Sequence, residues 1–280
     1  MDEKNKNENS CNFEGVIFEG DIDFRHYEFK ENVNFTNTEF RGCVKFNNAI
    51  FHKNCTFNNT KFNKDYINNK IFEKVKFEGQ NLLIHSVKNL PRMDGIILSC
   101  CTKIILSNIN YNKEEALYGK INYRIARNQA RIIGDHERIG HYYYKERDYG
   151  SKTLNKSDYP TKRDYINAKF FDVLSRYTLG YGERPWNILY ISLLIISIFA
   201  FLYILVGIRG VDSGKITTIN EFINVYIDTW YFSMVTFSTV GYGDMIVTTI
   251  LGKILVSIEV FFGLTMGATW ASVIIKRMIR

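Results

Sequence analysis

The sequence predicts a multidomain chain. An amino-terminal β-solenoid leads into an α-helical hairpin linker, and then into an all-α part that crosses a membrane twice with a re-entrant loop between the spans. Three observations carry this. Phenylalanines recur every 11 residues through the first third. Lys and Arg outnumber Asp and Glu by 15 to 10 over residues 111–185, against 15 to 14 before that stretch and 6 to 5 after it. Two long apolar runs fill the last third.

The whole-chain average hides this division. The 280 residues are 46% hydrophobic and carry a net charge of +7, which alone would suggest a soluble protein with a nucleic acid or an anionic surface as partner. Only three prolines and 21 phenylalanines exclude a Pro-rich disordered chain. The five cysteines, Cys11, Cys43, Cys55, Cys100 and Cys101, show no metal-ligand spacing and read as reduced thiols. No apolar leader marks the first twenty residues. The five histidines are scattered, with no nucleophile motif and no phosphate loop, so neither an enzyme nor a cofactor is expected.

The solenoid, placed at residues 1–110, rests on two interleaved series: Phe13, Phe24, Phe35, Phe46 and Phe57, and Phe18, Phe29, Phe40, Phe51 and Phe62. Steps alternate between five and six, then run evenly in fives through Ile67, Phe72, Phe77 and Leu82. A helix fails, because at about 100° per residue the two series lie about 140° apart and share no stripe. A strand fails, because a step of five reverses the face each time. A coil that turns a corner about every five residues points every Phe inward, onto the Phe of the next coil. This pattern resembles the pentapeptide-repeat proteins over residues 11–85, which implies a right-handed solenoid. The later runs Ile96–Leu98 and Ile104–Leu106 either continue the repeat or form a capping strand pair. Some members of that family mimic DNA through acidic surfaces. Here the near-neutral charge argues against that role, and no nucleic-acid partner is expected.

Residues 111–163 read as a hairpin and linker, with helices at 113–133 and 136–147 broken at Gly134-Asp135. Arg124, Arg127 and Arg131 form one cationic face, and Tyr142–Tyr144 read as core of the hairpin. Residues 164–185 follow as an interfacial helix with Ile166, Phe170, Val173, Leu174 and Tyr177 on one side, ending in the turn 180–185. Its basic residues suit anionic lipid headgroups.

Residues 186–280 form the membrane part: an outer helix at 186–208, a pore helix at 229–237, a loop at 239–243 and an inner helix at 246–275. The uncharged run Trp186–Ile208 reaches about 35 Å as a helix, enough for a bilayer. Basic residues flank both spans on one side, at 169–184 and at Lys276, Arg277 and Arg280. The loop 209–227 mixes Arg209 and Lys215 with Asp212 and Glu221. Both termini are therefore expected in the cytoplasm of a multi-pass protein of the cell membrane.

Between the spans stands Thr239-Val240-Gly241-Tyr242-Gly243-Asp244. Glycines at alternate positions free the backbone to turn its carbonyls to one side, where they replace the water shell of a cation. An earlier Gly180-Tyr181-Gly182, followed by charges and Pro185, reads as a structural turn. With its spans and its solenoid, the chain resembles two-transmembrane bacterial potassium channels with an amino-terminal pentapeptide-repeat domain. The resemblance implies a homotetramer in a lipid bilayer that conducts K+ passively. It implies ion contacts at Thr239, Val240, Gly241 and Tyr242, with Gly243 and Asp244 in support and a tether from Tyr231 to Asp244. Gly263 falls at the usual inner-helix hinge, with close packing as the alternative, and Leu264, Gly267 and Ala271 face the cavity. The family's proline soon after Asp244 is missing.

Glu259 stands inside the inner helix, where a carboxylate is functional by default. It is expected to face the pore helix near Ser233 or Thr236, or else to attract ions at the cavity, and Glu259→Gln is expected to alter gating or selectivity. The alternatives to a selective channel are a weakly selective cation channel and a membrane-tethered scaffold with a vestigial pore. No ligand of the solenoid is identifiable from the sequence.

Overall fold

A computed structural model describes residues 11–67, 69–209 and 218–279. Asp212, Lys215 and Arg280 lie outside the described residues. The chain divides into two compact units, Met1–Phe170 and Phe171–Arg280.

In the first unit the aromatic repeat sets the coil length. Phe13 stacks on Phe35, Phe18 on Phe40, Phe24 on Phe46 and Phe29 on Phe51, with ring centroids 4.6–5.3 Å apart and planes within 10° of parallel. Ladder partners are two 11-residue repeats apart, so one coil holds four Phe positions and four sides. The sides are short parallel strands. The first coil contains β1 (Cys11–Asn12), β2 (Ile17–Phe18), β3 (Ile22–Asp23) and β4 (Glu28–Phe29), and the second β5 (Val33–Asn34), β6 (Glu39–Phe40), β7 (Val44–Lys45) and β8 (Ile50–Phe51). The third begins with β9 (Cys55–Asn58).

Every second corner explains the alternation of five and six. Gly15, His26, Asn37, Asn48 and Asn59 all have positive φ, between 50° and 70°, and recur every 11 residues. At four of these corners the preceding Phe carbonyl accepts from the amide three residues on, as at Phe46 and Ala49 (2.8 Å). These are type II turns, whose third residue favours Gly or Asn. Buried threonines close the ladder between coils: Thr38 donates to the Phe13 carbonyl and Thr60 to that of Phe35, both at 2.8 Å.

The even spacing after Phe62 conceals an insertion. A short 3-10 turn at Lys64–Tyr66 bulges out, so Phe46 stacks on Phe72 and Phe51 on Phe77. Phe57 then pairs with Ile84, not Leu82. Ile67 fills the core beside the insertion and is buried. The solenoid continues through β10 (Lys76–Phe77), β11 (Asn81–His85), β12 (Ile97–Leu98) and β13 (Lys103–Ser107). Both late apolar runs pair in parallel with the preceding coil, β12 on β10 and β13 on β11, so they extend the repeat.

The helical hairpin does more than link. Helices α1 (Ala116–Ile132) and α2 (His136–Lys152) pack on the last coil and share its hydrophobic core. The Tyr142 hydroxyl accepts from the Leu106 amide and donates to the Ile104 carbonyl. Tyr149 does the same with Tyr111 and Ile109. Gln129 donates to the carbonyls of Ser99 and Thr102. Side chains thus occupy backbone groups of a sheet edge that would otherwise be open. Asp135 caps α2 and receives Lys103 of β13 at 2.8 Å. Arg124 and Arg127 of the cationic face pair with the buried Glu146.

Helix α3 (Lys162–Leu174) runs into a π turn at Ser175–Leu179. Ile166, Phe170, Phe171, Val173, Leu174 and Tyr177 are exposed apolar side chains along it. In the second unit Gly180, Tyr181 and Gly182 have φ of 51°, 57° and 76°, so the earlier Gly-Tyr-Gly is a left-handed turn. Helix α4 (Pro185–Val206), opened by its proline, α5 (Ile219–Phe237) and α6 (Ile250–Ile279) complete the unit. Helices α4 and α6 are long and apolar enough to span a membrane.

Candidate functional site

The site lies where α5 ends. This helix is ten residues longer at its start than the expected 229–237. Thr218 accepts from the Glu221 amide, and Glu221 returns a bond to the Thr218 amide. This reciprocal cap starts the helix at Ile219, and the Thr-x-x-Glu spacing was visible in the sequence. At the other end, the Val235 carbonyl accepts the Val240 amide at 3.0 Å, so the chain folds back directly into residues 239–243.

Along that segment Thr239, Gly241 and Gly243 take φ of 60°, 56° and 83°. Left-handed residues at alternate positions turn successive carbonyls towards one side, whereas an extended strand alternates them. For Thr239 the conformation costs about 1–2 kcal/mol, which the fold must offset. Residues 239–244 are exposed in the single chain, Val240 at 54% and Tyr242 at 71%. Tyr231 of α5 is exposed at 37% and interacts electrostatically with Asp244. Asp244 also accepts the Met245 amide at 3.1 Å.

Residues 246–249, expected as the first turn of the inner helix, are not helical. Ile246 exchanges both backbone hydrogen bonds with Arg209, at 3.0 and 3.2 Å, and Thr249 caps the helix at Gly252. The inner helix therefore starts at Ile250 and continues without a break to Ile279.

One face of α6 buries Gly252, Glu259 and Gly263. A Cβ on Gly263 would overlap the carbonyl oxygen of Phe237, the last residue of α5. The adjoining stripe, Leu264, Gly267 and Ala271, is exposed, and nothing lies within 4 Å of a Cβ placed on Gly267. Glu259 is 0% exposed. One carboxyl oxygen accepts from the Tyr203 hydroxyl at 2.7 Å, and the other meets the Ser233 hydroxyl. Tyr203 did not emerge from the sequence. Its one available signal was a hydroxyl within an aliphatic span.

The chain matches two known families over separate segments. Residues 191–280 match the ion channel family, and residues 26–66 match pentapeptide repeats in nine copies. The chain is 33% identical over 82 residues to two-pore potassium channel 4 of Arabidopsis thaliana, covering 29% of this chain and 28% of that one. It is 44% identical over 52 residues to the calcium-activated potassium channel slo-1 of Caenorhabditis elegans, covering 19% of this chain and 5% of the relative. The chain thus spans under a third of the length of either relative. No solved structure matches it. Helices α4 to α6 and the loop at 239–243 fall within the segment 191–280 that matches the ion channel family, apart from the first residues of α4, and the pentapeptide-repeat match precedes it.

Proposed function

We propose that the protein is a potassium-selective channel that conducts K+ passively. Four copies would each contribute residues 239–243 to one central filter, since a single strand cannot encircle an ion. The observation that carries this is the alternation of left-handed residues across Thr239–Gly243, between two membrane-length helices. On this reading the carbonyls of Thr239, Val240, Gly241 and Tyr242, with the Thr239 hydroxyl, replace the water shell of K+. Gly243, Asp244 and Tyr231 support the filter from outside, and Leu264, Gly267 and Ala271 line the cavity below. The protein spans the cell membrane with both termini in the cytoplasm. The basic stretch 111–185 faces anionic headgroups there, and the solenoid regulates the pore.

Reversal potentials of the purified full chain in bilayers under opposed K+ and Na+ gradients test the proposal. A value near the K+ Nernst potential is expected. A value near zero would make it a weakly selective cation channel, and a folded tetramer without current would make it a scaffold.

A further inference from the structure

Glu259 raises a question that conduction alone does not answer, because it neither faces the cavity stripe nor reaches an ion pair among the described residues. Its two carboxyl oxygens are both engaged, each by a hydroxyl from a different helix: Tyr203 of α4 and Ser233 of α5. Glu259, Tyr203 and Ser233 are each 0% exposed. The Ser233 oxygen also lies 2.9 Å from the Ile196 carbonyl of α4, and the Tyr203 ring meets Phe232 edge-on at 4.9 Å. One turn further along α6, Gly263 lets the helix backbone approach the Phe237 carbonyl. The same face of α6 is thus attached to α5 twice, by a polar bond at Ser233 and by contact at Phe237. Phe237 is two residues from Thr239.

We propose that Glu259 is a positioning residue for the filter. It bolts α6 to the pore helix and the outer helix, so that a displacement of α6 is passed through Ser233 and Phe237 to Thr239. The proposal rests on the channel reading above. Away from water the Glu259 carboxyl relies on these two hydroxyls, so losing either one loosens the node.

What the node requires is hydrogen-bonding capacity. A Gln amide keeps it, accepting from Tyr203 with its oxygen and donating to Ser233. The expectation that Glu259→Gln disturbs the channel is therefore reversed: Gln becomes the conservative variant, and Leu, of similar size, the disruptive one.

The test compares wild type with Glu259→Gln, Glu259→Leu, Ser233→Ala and Tyr203→Phe, as full chains in liposomes. K+ over Na+ preference is read from reversal potentials, and backbone hydrogen exchange is read over residues 225–238. Glu259→Leu is expected to lower the preference about tenfold and to speed exchange by a similar factor, and each hydroxyl deletion to do so several-fold. Glu259→Gln is expected to stay within about twofold of wild type on both. Ser233→Ala should add nothing in the Glu259→Leu background. If Glu259→Leu does not fold, the two hydroxyl deletions decide, since each changes a single oxygen. The proposal is overturned if Ser233→Ala and Tyr203→Phe match wild type on both readouts, or if Glu259→Gln behaves as Glu259→Leu. A wild type without K+ current overturns the channel reading instead, and the exchange data then decide this one.

Discussion

Gly263→Ala separates the two roles open to this glycine, because they predict effects of opposite sign. If Gly263 is a hinge in an otherwise unhindered helix, Ala improves the helix. The gain is about 1 kcal/mol, the usual difference between Gly and Ala in a helix interior. If it is a contact, the added methyl must be accommodated. It would overlap the Phe237 carbonyl oxygen and stand 2.9 Å from its carbon and 3.3 Å from its Cα. All three are backbone atoms of a helix end, so no side chain can swing aside. Helices α5 and α6 must separate, and overpacking of this kind costs about 1–3 kcal/mol. The contact outweighs the propensity gain, leaving a net loss of up to about 2 kcal/mol.

Gly267 supplies the control on the same helix. A Cβ there meets nothing within 4 Å, so Gly267→Ala should show the propensity gain alone. Thermal unfolding of the detergent-solubilised full chain, followed by intrinsic fluorescence, provides the comparison. Gly263→Ala is expected to lower the midpoint and Gly267→Ala to hold or raise it. If Gly263→Ala raises the midpoint as much as Gly267→Ala does, the contact argument is refuted and the hinge stands.

Three further outcomes follow from the geometry. Phe46→Ala should destabilise the solenoid by about 3–5 kcal/mol, because Phe46 is 0% exposed between Phe24 and Phe72. Phe18→Ala should cost less, since Phe18 is partly exposed at the first coil, and hydrogen exchange across coils shows whether the two differ. Burial raises the carboxyl pKa of Asp135, but hydrogen bonds from Lys103 and Arg138 outweigh it and hold the pKa below the ordinary value. Its stabilisation is thus fully present above the ordinary carboxylate range, near pH 4, and is lost as the pH falls through the lower folded value. Asp135→Asn should therefore destabilise the hairpin at neutral pH, and its deficit against wild type should shrink in acid unfolding experiments. Lys276 meets Glu183 at 2.8 Å, with the Glu183 side chain only 5% exposed. Lys276→Glu and Glu183→Lys should each lower thermal stability, and the double exchange should recover about 1 kcal/mol of coupling; strictly additive losses would deny the pair.

The periodic parts of this fold were readable because their cause is local. The 11-residue Phe spacing and the left-handed corners at Gly15, His26, Asn37, Asn48 and Asn59 are two aspects of one repeat. The insertion after Phe62 stayed hidden because four to five extra residues keep the spacing of five while moving later partners from 22 residues apart to 26 or 27. The cap was invisible for a different reason. Tyr142 and Tyr149 look like ordinary core residues until their hydroxyls are seen against Ile104 and Ile109, nearly forty residues away. The start of α5 lies ten residues before the expected 229, although its Thr218-x-x-Glu221 capping box was in plain view.

Glu259 marks where pattern reading stops. Its place in an apolar helix identifies a carboxyl that must have a partner, and helical register narrows the candidates to the pore helix. The identity of the bond still depends on three helices meeting at one depth, which no single period encodes. Tyr203 contributes half of that bond from a span that reads as plain anchor. Once it is counted, each carboxyl oxygen is held by a hydroxyl, in a fully buried position off the exposed stripe of Leu264, Gly267 and Ala271. The cavity role suggested by position alone is then the weaker one, and a role in holding α5 follows from hydrogen-bond inventory.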